Sequence, residues 1–170
     1  IHEVAKSIQS VYEQKPIDLI LEIDDKLQDR IIGDPFRLRQ IITNIIGNAY
    51  KFTAEGFIKI EAKANVESKL ITIKIEDSGI GIHQDKLQLI FEEFTQADDT
   101  IEKSYGGTGL GLTISKKIVE ILGGRLNLKS VLGKGSVFEI QIPLLFDTSI
   151  PHENPIVVNS KSNLTAIVID

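Results

Sequence analysis

Residues 34–53 read DPFRLRQIITNIIGNAYKFT, and their pattern sets the frame for the rest of the chain. Asp34 is a helix N-cap and Pro35 a first-turn proline, so a helix opens here and can run to about Lys51. Advancing about 100° per residue, Arg37, Gln40, Asn44, Asn48 and Lys51 fall within about 80° of arc, while Leu38, Ile42, Ile45 and Ala49 occupy the adjoining face. A polar stripe lies beside an apolar one. A solvated face would give the same pattern, but Glu and Lys would build it at lower cost than two asparagines, which are weaker helix formers. Neutral amide oxygens are weak ligands for a hard cation, and they suit Mg²⁺ that arrives already coordinated by phosphate oxygens.

Working outward, Ile1, Val4, Ala5, Ile8, Val11 and Tyr12 recur at helical spacing until Lys15-Pro16, and Ile17, Leu19, Leu21 and Ile23 alternate as a strand. Downstream, Ile58, Ile60, Ala62 and Ala64 alternate, as do Ile71, Ile73 and Ile75, with residues 65–69 as the hairpin loop between them. DSGIGI (77–82) leads into a short helix around Lys86 to Phe91. Residues 95–105 are polar and lack any period, which predicts a loop. The glycines of 106–111 follow, then a helix through Ile114, Ile118, Val119, Ile121 and Leu122 that Gly123-Gly124 closes. Residues 125–131 and 136–142 read as a hairpin around Gly133-Lys134-Gly135. Beyond Pro143 a linker rich in Pro, Asn and Ser runs to about Asn163, and LTAIVID (164–170) reads as the start of another strand.

Composition narrows the function. The chain has 170 residues, 42% hydrophobic and 25% charged, with no cysteine, so disorder, disulfide frameworks, thiol nucleophiles and Cys-type zinc sites are all set aside. A chain of this length buries enough surface to hold a core unaided. The formal net charge of −5 has the wrong sign for a surface that neutralises many nucleic-acid phosphates. No uninterrupted apolar run is long enough to span a bilayer, and neither a signal peptide nor an initiating methionine is present, which suggests that the N-terminus is a fragment boundary.

Two further places carry chemistry. Asp77 shares strand parity with Ile71, Ile73 and Ile75, so its carboxylate is aimed at the core and needs a partner. It is either a turn-forming aspartate beside Ser78-Gly79 or an acceptor for the exocyclic amine of a buried base, with Gly79 and Gly81 letting the backbone approach the ring. The glycines of 106–111 stand just before a helix, where unpaired N–H groups favour an anion, although a flexible hinge would use the same residues. They form neither a Walker A loop nor the Rossmann fingerprint, since Ile114 stands where a third glycine would fall.

Taken in order, these segments resemble a known family. IITNIIGNAYKFT (41–53) is similar to the N box, DSGIGI (77–82) to the first glycine box, IFEEFTQAD (90–98) to the F box and GGTGLGL (106–112) to the second glycine box of sensor histidine kinases. The resemblance covers about Ile1 to Leu144. It implies the catalytic ATP-binding domain: an α/β two-layer sandwich of the Bergerat type, with a mixed sheet covered on one face by helices and ATP held between the N-box helix and a flexible lid.

Family roles carry over position by position. Asn48 matches the Mg²⁺-binding asparagine, Asn44 its companion one turn earlier and a second metal residue, and Lys51 the phosphate-contacting lysine, with Asn44, Lys51 and Lys103 counted as the catalytic residues. Asp77 matches the acceptor for the adenine amino group and Phe52 the aromatic beside the base. Gly79 and Gly81 line the adenine side, and Gly107, Gly109 and Gly111 border the phosphates. Ile82, Thr108 and Leu110 are the further nucleotide contacts within the glycine boxes. Phe91 and Phe94 resemble the F-box pair that packs the base of the lid, with Phe91 counted among the nucleotide-site residues. Lys103 stands where many relatives have an arginine that reaches the γ-phosphate, a departure that trades a bidentate fork for a point charge.

In related topoisomerase and heat-shock chaperone ATPases a glutamate four residues before the metal asparagine is the general base for water. Here that residue is Asn44. An amide cannot take the proton, so the resemblance implies a γ-phosphoryl group kept for a histidine on a separate helical dimerisation domain. His2, His83 and His152 lie outside any such helical motif. LTAIVID resembles the first strand of a receiver domain, which would make the parent a hybrid kinase. The expected division is 1–145 catalytic domain, 146–163 linker and 164–170 start of a receiver domain, with a cytoplasmic location and neither nucleic-acid nor direct membrane contact. The competing readings are a nucleotide-binding regulatory module without transfer activity and a hydrolytic ATPase.

Overall fold

The computed structural model describes residues 1–28, 31–92, 110–143 and 145–146. Five strands form one mixed sheet: β1 (Ile17–Ile23), β3 (Gly56–Asn65), β4 (Leu70–Asp77), β5 (Arg125–Val131) and β6 (Gly135–Pro143), in the order β1-β3-β4-β6-β5. β1 and β3 are parallel, with Ile17 opposite Gly56, and every other pair is antiparallel. A parallel pair needs a crossover, and the long helix α2 (Pro35–Phe52) supplies it. A separate two-residue pairing joins β2 (Ile31–Ile32) to β7 (Leu145–Phe146).

The alternation read from the sequence places one face of the sheet inward. Ile58, Ile60, Ala62, Ile73, Ile75, Phe138 and Ile140 are buried there under α1 (His2–Val11), α2 and α3 (Gly111–Ile121). The opposite face is mostly polar. On it the Lys59 ammonium meets Glu22 at 3.0 Å and Glu61 at 2.8 Å, and Lys74 meets Glu139 at 3.4 Å. The sheet covered on one face by helices is therefore the architecture that the sequence implies.

α2 begins as read. Asp34 Oδ1 accepts from the N–H groups of Phe36 and Arg37, each at 3.0 Å, and its other oxygen pairs with Arg37 Nε at 3.1 Å. Its apolar face is wider than the four residues assigned to it, because Ile41, Ile46 and Tyr50 are buried as well. Two elements differ in detail. The short helix near Lys86 to Phe91 is two single 3₁₀ turns, Gln84–Lys86 and Leu89–Phe91. Leu145–Phe146 is paired where the sequence suggests a linker after Pro143.

Candidate functional site

Two neighbours grip α2, and both carry residues that the sequence singled out. At its C-terminal end the Phe52 carbonyl accepts the Ile80 N–H at 3.2 Å, which docks the loop 77–82 onto the helix. Gly79 is required at that junction, since a methyl group there would overlap the Phe52 carbonyl oxygen. In its middle, Asn44 Nδ2 donates to Ser115 Oγ of α3 at 2.9 Å. The structure thus gathers Asn44, Asn48, Lys51 and Phe52 on one helix with Asp77, Gly79, Gly81 and Ile82 at one end and Leu110 and Gly111 alongside. Phe94, Lys103, Gly107, Thr108 and Gly109 lie outside the described residues, as does all of the chain after Phe146.

Asp77 ends β4 with its side chain inward and only 6% exposed. Its Oδ1 accepts the Gly79 N–H at 2.9 Å, the turn-forming role. Burial pushes its carboxyl up to about 6, although the backbone N–H groups of Gly79 and Ser136 pull the other way. Backbone N–H groups therefore hold the carboxyl in place and still leave it desolvated with acceptor capacity to spare, so both roles read for this residue are compatible in one geometry. Gly81 adopts φ +66°, and a side chain there would run into the Val131 carbonyl. The glycines of this loop are explained first by the chain's own close approaches, whatever else they admit.

Lys51 and Phe52 stand at the exit of α2, with the Lys51 ammonium 4.9 Å from the Phe52 ring centroid. Desolvation holds the Lys51 ammonium below the usual lysine range. Asn48 is half-buried one turn earlier. Phe91 is half-buried against the core, with the Lys116 ammonium 5.3 Å from its ring centroid, in keeping with a packing role. Among the described residues no group of three or more His, Cys, Asp or Glu stands ready to hold a metal. A neutral donor such as Asn48 fits a cation whose other ligands arrive with a polyphosphate.

Three serines matter that the sequence reading passed over. Ser136 lies opposite Asp77 in the β4–β6 register and is 7% exposed. Its hydroxyl is 2.9 Å from Ser130 Oγ, which donates to the Gly135 carbonyl at 2.9 Å and accepts the Ile82 N–H at 2.8 Å. This chain ties the loop 77–82 to the β5–β6 hairpin. Its signal is present in the sequence, since Ser136 shares strand parity with Phe138, Ile140 and Ile142. Ser115, 2% exposed, is the third.

An inward carboxylate at one end of α2 and a second, glycine-led helix alongside it thus stand together on one mixed sheet. Residues 33–145 match the family described as histidine kinase-, DNA gyrase B-, and HSP90-like ATPases, and the chain belongs to that family. It is 40% identical over 158 residues to the signal transduction histidine-protein kinase BarA of Escherichia coli (strain K12), covering 91% of this chain and 17% of that protein. It is 38% identical over 154 residues to hybrid signal transduction histidine kinase A of Dictyostelium discoideum, covering 85% of this chain and 7% of the relative. The chain thus spans less than a fifth of the length of these two relatives.

Among solved structures, full-length ShkA in complex with AMPPNP superposes with a TM-score of 0.75 at 30% identity, covering 86% of this chain and 29% of that one. The nucleotide-free catalytic domain of the histidine kinase ThkA superposes with a TM-score of 0.67 at 28% identity, over 84% of this chain and 91% of that one. The domain is of the histidine kinase catalytic type. No helix among the described residues is long and apolar enough to cross a membrane.

Proposed function

We propose that this domain binds MgATP along α2 and donates the γ-phosphoryl group to a histidine on a separate helical dimerisation domain, in two-component signalling. The buried Asp77 carboxylate carries the nucleotide reading. A desolvated acceptor beside glycines and an aromatic residue suits the amino edge of a purine, which donates where the carboxylate accepts. Phe52 offers its ring to the base, and Lys51 its charge to the phosphates. Asn48 would supply an oxygen to Mg²⁺, which, when bound, neutralises phosphate charge. The first turn of α3, whose N-cap position is a leucine, offers backbone N–H groups to the same phosphates.

Asn44 favours transfer over hydrolysis. Its amide stands where a hydrolytic relative has a carboxylate, and an amide takes no proton from water. In the transfer, the bond from phosphorus to the β,γ-bridging oxygen breaks, ADP leaves, and a phosphorus–nitrogen bond forms on the acceptor imidazole. The proposal extends to Lys103, Gly107, Thr108 and Gly109 at the phosphate end, to a cytoplasmic location, and to a linker that follows β7, runs to 163 and leads to a receiver domain in the same polypeptide.

The test is an assay with γ-labelled ATP and an added histidine-bearing domain. Label on the added domain supports the kinase. Phosphate release without transfer would replace it with a hydrolytic ATPase, and binding with neither would replace it with a regulatory module.

A further inference from the structure

We propose that Asn44 is a positioning residue that fixes α3 against α2, and that it does not ligate the metal. Both ends of its amide are turned to α3. Nδ2 donates to the hydroxyl of Ser115 at 2.9 Å, and Oδ1 lies so close to the Cα of Gly111 that a methyl group there would overlap it. Gly111 and Ser115 are four residues apart on one stripe of α3, so a single side chain on α2 bridges one full turn of its neighbour. Ser115 is 2% exposed, and a buried hydroxyl is costly to leave without its partner. α3 is tied again at this end, where Thr113 Oγ1 donates to the Glu92 carbonyl at 3.2 Å.

The consequence bears on the nucleotide site, and this step rests on the function proposed above. Asn48 and Lys51 belong to α2, while the backbone N–H groups that would meet phosphate belong to the first turn of α3. The Asn44–Ser115 bond and the notch at Gly111 set the distance between those two sets of donors. A ligand role for Asn44 would take its oxygen away from Gly111 and reorient the amide that holds Ser115.

The proposal is tested with Asn44→Ala, Ser115→Ala and the double variant of the 170-residue chain, each titrated with AMPPNP in Mg²⁺ and in EDTA. Each single change is expected to weaken binding about tenfold, the pair no more than either alone, and by the same factor with and without metal. Asn48→Ala, by contrast, should lose binding only when Mg²⁺ is present. Additive losses, or an Asn44→Ala loss that disappears in EDTA while Ser115→Ala binds normally, would overturn it.

A size swap provides a readout that needs no nucleotide. Gly111→Ala should lower the unfolding temperature in the presence of Asn44 and cost little once Asn44→Ala has removed the overlap. Equal losses in both backgrounds would also overturn the proposal. Failure of the unaltered chain to bind AMPPNP would instead sink the nucleotide reading and leave the swap informative.

Discussion

Lys15 and Tyr50, 35 residues apart, meet at the end of α2: the Lys15 ammonium donates to the Tyr50 carbonyl at 2.6 Å and to the Thr53 carbonyl at 2.8 Å. The last carbonyls of a helix lack intrahelical partners, and the negative end of the helix dipole adds to their appetite for a cation. One lysine from the turn after α1 thus closes the helix that carries Asn48 and Lys51. Tyr12, stacked on Tyr50 at 5.2 Å between ring centroids, closes the same junction from the apolar side.

Lys15→Met should therefore destabilise the domain by about 1–2 kcal/mol, the size of a partly buried charge at a helix C-terminus. Lys15→Arg should recover part of the loss. Chemical denaturation of the three chains measures it, and an unchanged midpoint for the methionine variant would remove Lys15 from this role.

Asp77 predicts a dependence on pH whose direction is fixed. Its folded value of about 6 lies above the ordinary 3.8, so between those two values the folded chain keeps a proton that the unfolded chain has released. Stability from this group is fully present below pH 4, falls as pH rises to about 6, and stays down above it. Asp77→Asn should be level with the parent near pH 4 and more stable by up to about 3 kcal/mol at pH 7.5. A stability difference that does not change over this range would contradict the buried, ionising carboxylate.

The same substitution should weaken AMPPNP binding at pH 7.5 by about ten- to a hundredfold, because the amide presents a donor where the base also donates. Stability and affinity then move in opposite directions in one variant. Isothermal titration against the denaturation data tests this, and unaltered affinity would refute the base-recognition role.

Gly47 and Gly81 are expected to respond oppositely to alanine. Gly47 sits inside α2 with nothing within 4 Å of an added methyl group, so Gly47→Ala should stabilise the ligand-free domain by about 0.5–1 kcal/mol through helix propensity. Gly81→Ala places a side chain at φ +66° against the Val131 backbone, and a cost of about 2 kcal/mol or more is expected. Thermal unfolding of the pair gives the sign of each.

Much of this fold is legible because its signals are local. The run Ile71, Ile73, Ile75, Asp77 announces both a half-buried strand and an inward acid, since one face of the sheet packs and the other does not. Asp34-Pro35 announces a helix start through chemistry confined to four residues. What stays hidden depends on partners far along the chain. The Asn44–Ser115 bond joins residues 71 apart, and no period in either helix points to the other. Ile31–Ile32 and Leu145–Phe146 are each too short to show alternation, and only their pairing makes them strands. Gly79 and Gly81 were readable as places of close approach, but the approaching groups, Phe52 and Val131, were not.

The charged outer side of the sheet has a bearing on how a histidine acceptor would come to this domain. Lys59 interlocks with Glu22 and Glu61 there, and Lys74 with Glu139, so a body settling on that side would have to strip water from several ions at once. A partner without charges to match these would bear that desolvation without return, so on the function proposed above the helical side is the favoured face for an acceptor domain.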